Sequence, residues 1–64
     1  SNTMLGDLNF DGIINILDIV SLVNVILGVT ENPSEDILYA ADLNQDGSID
    51  VLDIVLTVNI VLNP

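Results

Sequence analysis

Two runs of oxygen-bearing side chains recur at the same spacing, and no other residues of this chain suit chemistry as well. Residues 7–18 return thirty-five positions later as residues 42–53. In both runs a carboxylate or amide side chain occupies positions 1, 3, 5, 9 and 12, and glycine occupies position 6. This spacing is typical of an EF-hand-type calcium loop. Two matches in a fixed register argue against chance, so we interpret the runs as loop 1 (7–18) and loop 2 (42–53).

Calcium is a hard cation that takes about six to eight oxygen ligands, and each loop offers a matching set. The predicted ligands of loop 1 are Asp7, Asn9, Asp11, the backbone carbonyl of Ile13, Asn15 and Asp18. The predicted ligands of loop 2 are Asp42, Asn44, Asp46, the backbone carbonyl of Ser48, Asp50 and Asp53. Gly12 and Gly47 are expected at the sharp turn that lets the chain wrap round the ion. Loop 2 carries four carboxylates against three in loop 1, so we predict tighter binding there.

Two other interpretations of the loops are weaker. Five side-chain ligands per loop exceed what Mg²⁺ normally takes from a protein, and a solvated acidic turn does not explain the repeated spacing. Position 12 is aspartate, Asp18 or Asp53, where an ordinary EF-hand has glutamate. The shorter side chain must bring its helix closer to the ion, which argues against a calcium sensor. Sensors also expose methionine-rich grooves, whereas Met4 is the single methionine.

The charge of the chain is entirely negative. Its 64 residues include ten acids and no Lys, Arg, His or Cys. A domain this small has a marginal core and needs additional stabilisation by a disulfide or a bound metal ion. Because the chain has no cysteine, a metal ion is the remaining candidate. We therefore expect the metal-free chain to be weakly folded or unfolded, with two Ca²⁺ ions supplying folding energy. Nucleic-acid binding is excluded because nothing neutralises phosphate, and no apolar stretch is long enough for membrane insertion.

Each loop must be followed by a helix that aims position 12 at the ion. Residues 16–27 and 51–62 are dense in apolar residues without internal Gly or Pro, and Gly28 suits the end of the first helix. Residues 33–41 are expected to form a short connecting helix, with Asn32 as N-cap, Pro33 at its first position and Tyr39 as a core or hinge aromatic. Only residues 1–6 precede loop 1, too few for a full entering helix.

The predicted fold class is therefore all-α, a small three-helix domain of two calcium loop–helix, or half EF-hand, repeats. Residues 1–64 form a single module, with repeat one at 6–28 and repeat two at 41–63. The two repeats share thirteen identities in twenty-three aligned positions.

The repeat helices are apolar round most of their circumference, which three short helices cannot bury against one another. The residues expected to face the core are Ile19, Leu22, Ile26, Leu27, Ile54, Val58, Val61 and Leu62. Those expected to stay partly outside are Ile16, Leu17, Val20, Val51, Leu52, Val55 and Leu56. An exposed apolar patch of this kind usually marks a protein interface, and the alternative is a larger core. The partner could be another protein, a neighbouring module or a second copy.

Paired loops that end in Asp, each followed by one helix and separated by a short helix, resemble a type I-like dockerin over residues 5–62. The resemblance implies a three-helix dockerin-like fold with two Ca²⁺ ions and pseudo-twofold symmetry. It also implies binding to a cohesin domain of a scaffold or surface protein, as in cellulosome-like assembly. It also implies an extracellular or cell-surface module of a larger secreted protein. At the positions that commonly face cohesin, this chain has aliphatic residues and Asn, where many members have Ser or Thr and then Lys or Arg.

From the resemblance and the apolar surface together, we predict a non-catalytic, calcium-dependent docking module. The predicted partner-binding residues are Ile16, Leu17, Val20, Val23, Asn24, Val51, Leu52, Val55, Leu56 and Asn59. The alternative is a calcium-folded structural module that forms a homodimer or packs on its parent protein without cohesin. Enzyme activity is not expected, because the carboxylates are committed to metal and no base is present to activate a Ser or Thr.

Overall fold

The computed structural model describes residues 3–63, and this part of the chain contains three helices and no strand. They are α1 (Ile16–Ile26), α2 (Glu35–Ala41) and α3 (Val51–Leu62). Helices α1 and α3 pack against each other, and each directly follows one of the two loops. The all-α fold class expected from the sequence is confirmed.

Both repeat helices begin with the same capping arrangement. Asn15 caps α1 and Asp50 caps α3, each in an extended conformation with φ of −145° and −150°. The side chain of each cap accepts a hydrogen bond from the helix, and the acid three residues later, Asp18 or Asp53, accepts one from the backbone N–H of the cap. This reciprocal capping box satisfies amides that have no partner within the helix. It also fixes where the last residue of each loop points.

Helix α1 ends at a glycine, as the sequence indicates. Gly28 has φ of +76°, a left-handed conformation that glycine adopts without steric strain because it has no side chain. Its N–H donates to the carbonyl of Val25, and the N–H of Val29 donates to that of Asn24. These two bonds form a Schellman motif, which turns the chain sharply back over α1.

The start of α2 differs from the prediction. The N-cap is Ser34, whose hydroxyl accepts a hydrogen bond from the N–H of Ile37, and the helix begins at Glu35. Asn32 instead has φ of +48° and lies in the turn before the helix, so its assignment as N-cap is wrong. Pro33 precedes the cap and is not the first helical residue. The helix predicted over residues 33–41 is therefore two residues shorter at its start.

The core is small. Its buried members are Leu8, Leu22, Ala40 and Ala41, and half-buried side chains pack round them: Val25, Ile26, Ile37, Ile49 and Ile54. The expected core residues Leu27 and Leu62 are instead about 70% exposed; Leu27 is the C-cap that follows α1, and Leu62 is the last residue of α3. Tyr39 is also exposed and is not a core aromatic.

Candidate functional site

The two loops have almost the same backbone. Gly12 and Gly47 have φ of +82° and +88°, and Phe10 and Gln45, two positions earlier, have φ of +59° and +54°. The left-handed conformation costs a non-glycine residue roughly 1–2 kcal/mol. The same strain at the same position of both loops shows that the loop path dictates it. A loop that turns twice in this way wraps its side chains round a common centre.

In loop 1, backbone amides hold three carboxylates towards that centre. Asp7 Oδ2 accepts from the N–H of Gly12 at 2.9 Å, and Asp11 Oδ1 accepts from the N–H of Ile13 at 3.0 Å. Asp18 is fully buried, and its Oδ1 accepts from the N–H of Leu8 at 3.0 Å. As a result, one carboxylate oxygen from each of Asp7, Asp11 and Asp18 lies within 4.8 Å of the others.

In loop 2 the equivalent hydrogen bonds recur, but the carboxylates converge less closely. Asp42 Oδ2 accepts from the N–H of Gly47 at 3.0 Å, and Asp46 Oδ1 accepts from the N–H of Ser48 at 2.9 Å. Asp53 is also fully buried, but its Oδ1 is 3.4 Å from the N–H of Asn44. Asp42 Oδ1 is buried with no hydrogen-bond partner among the described residues. Within residues 3–63, only loop 1 brings three acidic groups as close as 4.8 Å.

The donor set of these loops suits a hard divalent cation such as Ca²⁺. The side-chain donors are all oxygen, which a hard cation prefers, and the sequence has no Lys, Arg or His to neutralise them. A buried carboxylate oxygen without a partner carries a large desolvation cost unless a charge or donor compensates it. Asp42 Oδ1 is such an atom. The amide bonds leave room for metal, because a carboxylate oxygen that accepts one of them, such as Asp18 Oδ2 from the N–H of Asn15, keeps a second lone pair.

The other predicted ligand residues have further partners. Asn9 Oδ1 accepts from the N–H of Asp11 at 3.4 Å, and the Asn44 amide donates to Asp46 Oδ2 at 3.2 Å. Ile13 and Ser48 are exposed at position 7 of their loops. These contacts keep all four residues within their loops, beside the carboxylates.

Sequence reasoning missed a second role of loop position 9. Asn15 Oδ1 accepts from the N–H of Leu17 at 3.0 Å, and Asp50 Oδ1 accepts from the N–H of Leu52 at 3.1 Å, so both residues cap helices. The signal was present as Asn or Asp followed three residues later by Asp, which is close to a capping-box pattern. Each loop therefore shares residues with the helix that follows it, so formation of the loop and formation of the helix are coupled.

A second candidate site is the exposed part of the repeat helices. All seven aliphatic residues expected to remain outside are exposed, from Leu56 at 36% to Val51 at 65%. Asn59 is exposed too, whereas Val23 and Asn24 are half-buried. We call this set the docking face; its members are Ile16, Leu17, Val20, Val23, Asn24, Val51, Leu52, Val55, Leu56 and Asn59.

The fold and the two loops define a small all-α domain of duplicated loop–helix repeats suited to calcium. Residues 5–62 match the dockerin type I domain family, and the chain belongs to that family. Dockerin domains are non-catalytic modules that bind calcium and dock on cohesin domains, and they are usually found in secreted or cell-surface proteins. No curated protein and no solved structure matches the chain. None of the helices within residues 3–63 has the length and apolar character needed to cross a membrane.

Proposed function

We propose that residues 1–64 are one docking module that folds on two Ca²⁺ ions and binds a cohesin domain through the docking face. Repeat one spans residues 6–28 and repeat two residues 41–63, and the connecting segment carries α2. The module has no catalytic role of its own and anchors a secreted or surface protein to a scaffold outside the cell. The observation that carries the proposal is the pairing of two loops whose carboxylates are held by backbone amides, with three of them converging in loop 1, and helices that leave their apolar residues exposed.

The calcium part rests on the donor geometry. The proposed ligands of loop 1 are Asp7, Asn9, Asp11, Ile13, Asn15 and Asp18, and those of loop 2 are Asp42, Asn44, Asp46, Ser48, Asp50 and Asp53. Bound calcium neutralises carboxylates that no cation of this chain can pair with. Because Asp18 and Asp53 each bond both to their loop and to a helix cap, metal binding and helix formation are expected to occur together.

The docking part rests on exposed apolar area. Fully burying one exposed aliphatic side chain contributes about 1.5–3 kcal/mol, so covering several members of the half-exposed face offsets a substantial part of the costs of association. Ile16, Leu17, Val51 and Leu52 are each about 60% exposed and lie at the starts of α1 and α3. They stand at equivalent positions of the two repeats. A partner that covers either helix start would remove two of these side chains from water.

Self-association is the second candidate. The docking face is repeated within the chain, and an isologous dimer needs a self-complementary surface. The charge opposes it, because each copy carries a formal charge of −10 and no cation. Two bound Ca²⁺ ions would reduce but not remove this repulsion. We therefore rank binding to a different protein ahead of a homodimer.

The test is a titration of the calcium-loaded chain against a panel of recombinant cohesin domains, with light scattering of the chain alone. The proposal expects a monomer and a one-to-one complex with at least one cohesin, lost on chelation. Leu17→Asp and Leu52→Asp should each weaken the complex by about tenfold or more, since burial of an aliphatic side chain is lost. Leu38→Asp is the matched control, because Leu38 is an exposed leucine on α2, outside the face.

Two results would contradict the cohesin proposal. One is a folded, calcium-loaded monomer that binds no member of the panel. The other is a stable calcium-bound dimer in which Leu17→Asp and Leu52→Asp restore the monomer, which would favour the second candidate.

A further inference from the structure

Two aspartates of this chain are followed directly by glycine, and both stand at position 5 of a loop. They are Asp11, before Gly12, and Asp46, before Gly47. The other six aspartates are each followed by Leu, Ile or Val. The backbone nitrogen after an aspartate can attack the carboxyl carbon of that aspartate, and a bulky following side chain obstructs the attack. The two Asp–Gly bonds are therefore the places where this backbone is chemically weakest.

The reaction at such a bond is intramolecular and needs no co-reactant except water. In loop 1, the backbone nitrogen of Gly12 bonds to Cγ of Asp11, while its proton and the hydroxyl of the carboxyl group leave as water. The product is a cyclic imide. Water then opens the imide on its Cα side, so the chain runs through Cγ and the free carboxylate stands on Cα. This isoaspartate has the mass of aspartate but adds an extra carbon to the backbone.

The folded form of loop 1 opposes this reaction. The N–H of Gly12 donates to Asp7 Oδ2 at 2.9 Å, and Asp11 Oδ1 accepts from the N–H of Ile13 at 3.0 Å. Loss of the proton from the Gly12 nitrogen would place a second negative charge against the Asp7 carboxylate, which is unfavourable. The Ile13 amide also restrains the Asp11 side chain, whose Cγ must align with the attacking nitrogen.

Loop 2 holds its Asp–Gly bond in the same way. The N–H of Gly47 donates to Asp42 Oδ2 at 3.0 Å, and Asp46 Oδ1 accepts from the N–H of Ser48 at 2.9 Å. Asp46 Oδ2 also accepts from the side-chain amide of Asn44 at 3.2 Å. All these bonds exist only while the loop is folded, and folding of the loops is expected to depend on Ca²⁺.

We propose, resting on the calcium part of the proposed function, that Asp11 and Asp46 are sites of isoaspartate formation from which bound calcium protects the chain. Loss of Ca²⁺ opens the loops and frees both Asp–Gly bonds to react. An isoaspartate at position 5 moves the carboxylate onto Cα and lengthens the backbone beside Gly12 or Gly47. The modified loop can no longer bring that carboxylate to the centre, so the loss of calcium binding persists after calcium returns.

The test incubates the intact chain at physiological temperature, with Ca²⁺ or with a chelator at matched ionic strength. Isoaspartate is quantified by enzymatic methyl transfer and located by peptide mapping with electron-transfer dissociation. The proposal expects modification of Asp11 and Asp46 in chelator. In Ca²⁺ both rates should fall by at least about tenfold, because a slow modification follows the population of the opened loop. The six aspartates followed by Leu, Ile or Val are internal controls and should stay unmodified.

A variant of the metal-free chain tests the chemistry without requiring a folded loop. Gly47→Ala should slow modification at Asp46, because the added methyl group obstructs ring closure, and should leave the rate at Asp11 unchanged. Gly28→Ala is the matched control, since Gly28 is another left-handed glycine but follows Leu27 and lies outside both loops. Calorimetry of the chelator-aged chain, after Ca²⁺ is restored, should show a loss of binding that tracks the isoaspartate content.

The outcomes separate this inference from the proposed function. Equal rates at Asp11 and Asp46 with and without Ca²⁺, in a chain that calorimetry shows to bind calcium, would overturn the inference and leave the proposed function standing. Modification of the six control aspartates at a similar rate, or unchanged Ca²⁺ affinity of the isoaspartate form, would do the same. If the unaged chain binds no calcium, the proposed function fails and the protection fails with it.

Discussion

Loop 1 and loop 2 follow the same backbone path, yet they hold their carboxylates differently. Asp18 accepts hydrogen bonds from the N–H groups of both Leu8 and Asn9, at 3.0 and 3.3 Å. Asp53 accepts the equivalent bond from Asn44 alone, at 3.4 Å. The first residue of loop 1, Asp7, is 3% exposed, whereas Asp42 is half-buried with an unpartnered oxygen.

The difference goes with the packing of the second residue of each loop. Leu8 is a buried core residue, so the start of loop 1 is anchored. Its equivalent Leu43 is half-buried. The shared ligand spacing fixes the path of both loops, whereas the packing of this residue goes with how closely the carboxylates converge. Loop 1 brings its carboxylates closer together, and loop 2 has one more negative charge.

The largest effect is expected from removing position 12 of both loops together. Asp18→Ala with Asp53→Ala should abolish cooperative folding even in saturating Ca²⁺. Both residues are fully buried and accept loop and cap amides, and each amide left unsatisfied costs about 1–3 kcal/mol. Those losses rival the whole stability of a domain this small. Circular dichroism and thermal unfolding check the result.

A charge-matched control is Glu31→Ala with Glu35→Ala, which removes two exposed acids outside the loops. It should retain a cooperative transition. An unchanged helical signal in the Asp18 and Asp53 double variant would refute metal-driven folding.

A smaller effect is expected from exchanging the residues at loop position 9. Asp50→Asn gives loop 2 the charge of loop 1 and should weaken its Ca²⁺ affinity by up to about tenfold. Position 9 of such loops often contacts the ion through a water molecule, and a unit charge at that separation, about 5 Å from a divalent ion, contributes about 1.5 kcal/mol in water and less in high salt. Asn and Asp cap helices equally well, so α3 should remain intact. Isothermal titration calorimetry at low and high salt measures the change.

The reciprocal variant Asn15→Asp should strengthen loop 1 by a similar factor. If Asp50→Asn leaves the affinity of loop 2 unchanged, carboxylate count does not rank the loops, and the prediction that loop 2 binds more tightly is wrong.

The smallest effect is expected at a buried position where the repeats differ. Thr57 is fully buried, as is Leu22 at the equivalent position, and its hydroxyl donates to the carbonyl of Asp53 at 2.9 Å. Thr57→Val keeps the shape and removes this bond, which should cost about 1 kcal/mol and lower the Tm by roughly 4–8 °C. Thr30→Val, outside the helices, is the control and should change the Tm less. A loss above about 3 kcal/mol would show that the hydroxyl does more than bond its own helix.

The sequence predicted the parts of the fold that local chemistry dictates. The starts of α1 and α3 follow from the loops, each of which must be followed by a helix, and the end of α1 follows from Gly28. The caps Asn15 and Asp50 also act within a few residues, but the sequence analysis missed that role. The cap of α2 was harder, because Asn32 and Ser34 are both good N-cap types on either side of Pro33. Only the turn at Asn32, with its positive φ, decides for Ser34.

The sequence could not predict features that depend on packing between distant residues. Leu27 and Leu62 have the apolar character of core residues, yet both are exposed at the ends of their helices. The ligand set depends on residue spacing within each loop, so the sequence alone could predict it. The measurement that tests this prediction is one of metal binding.

That measurement is a Ca²⁺ titration of the metal-free chain, followed together by calorimetry and far-ultraviolet circular dichroism. The account predicts a weakly helical starting state, two Ca²⁺ ions bound per chain, and a gain of helix that tracks binding. A metal-free chain that is already fully helical and unfolds cooperatively, or a chain that binds no calcium as it folds, would contradict it.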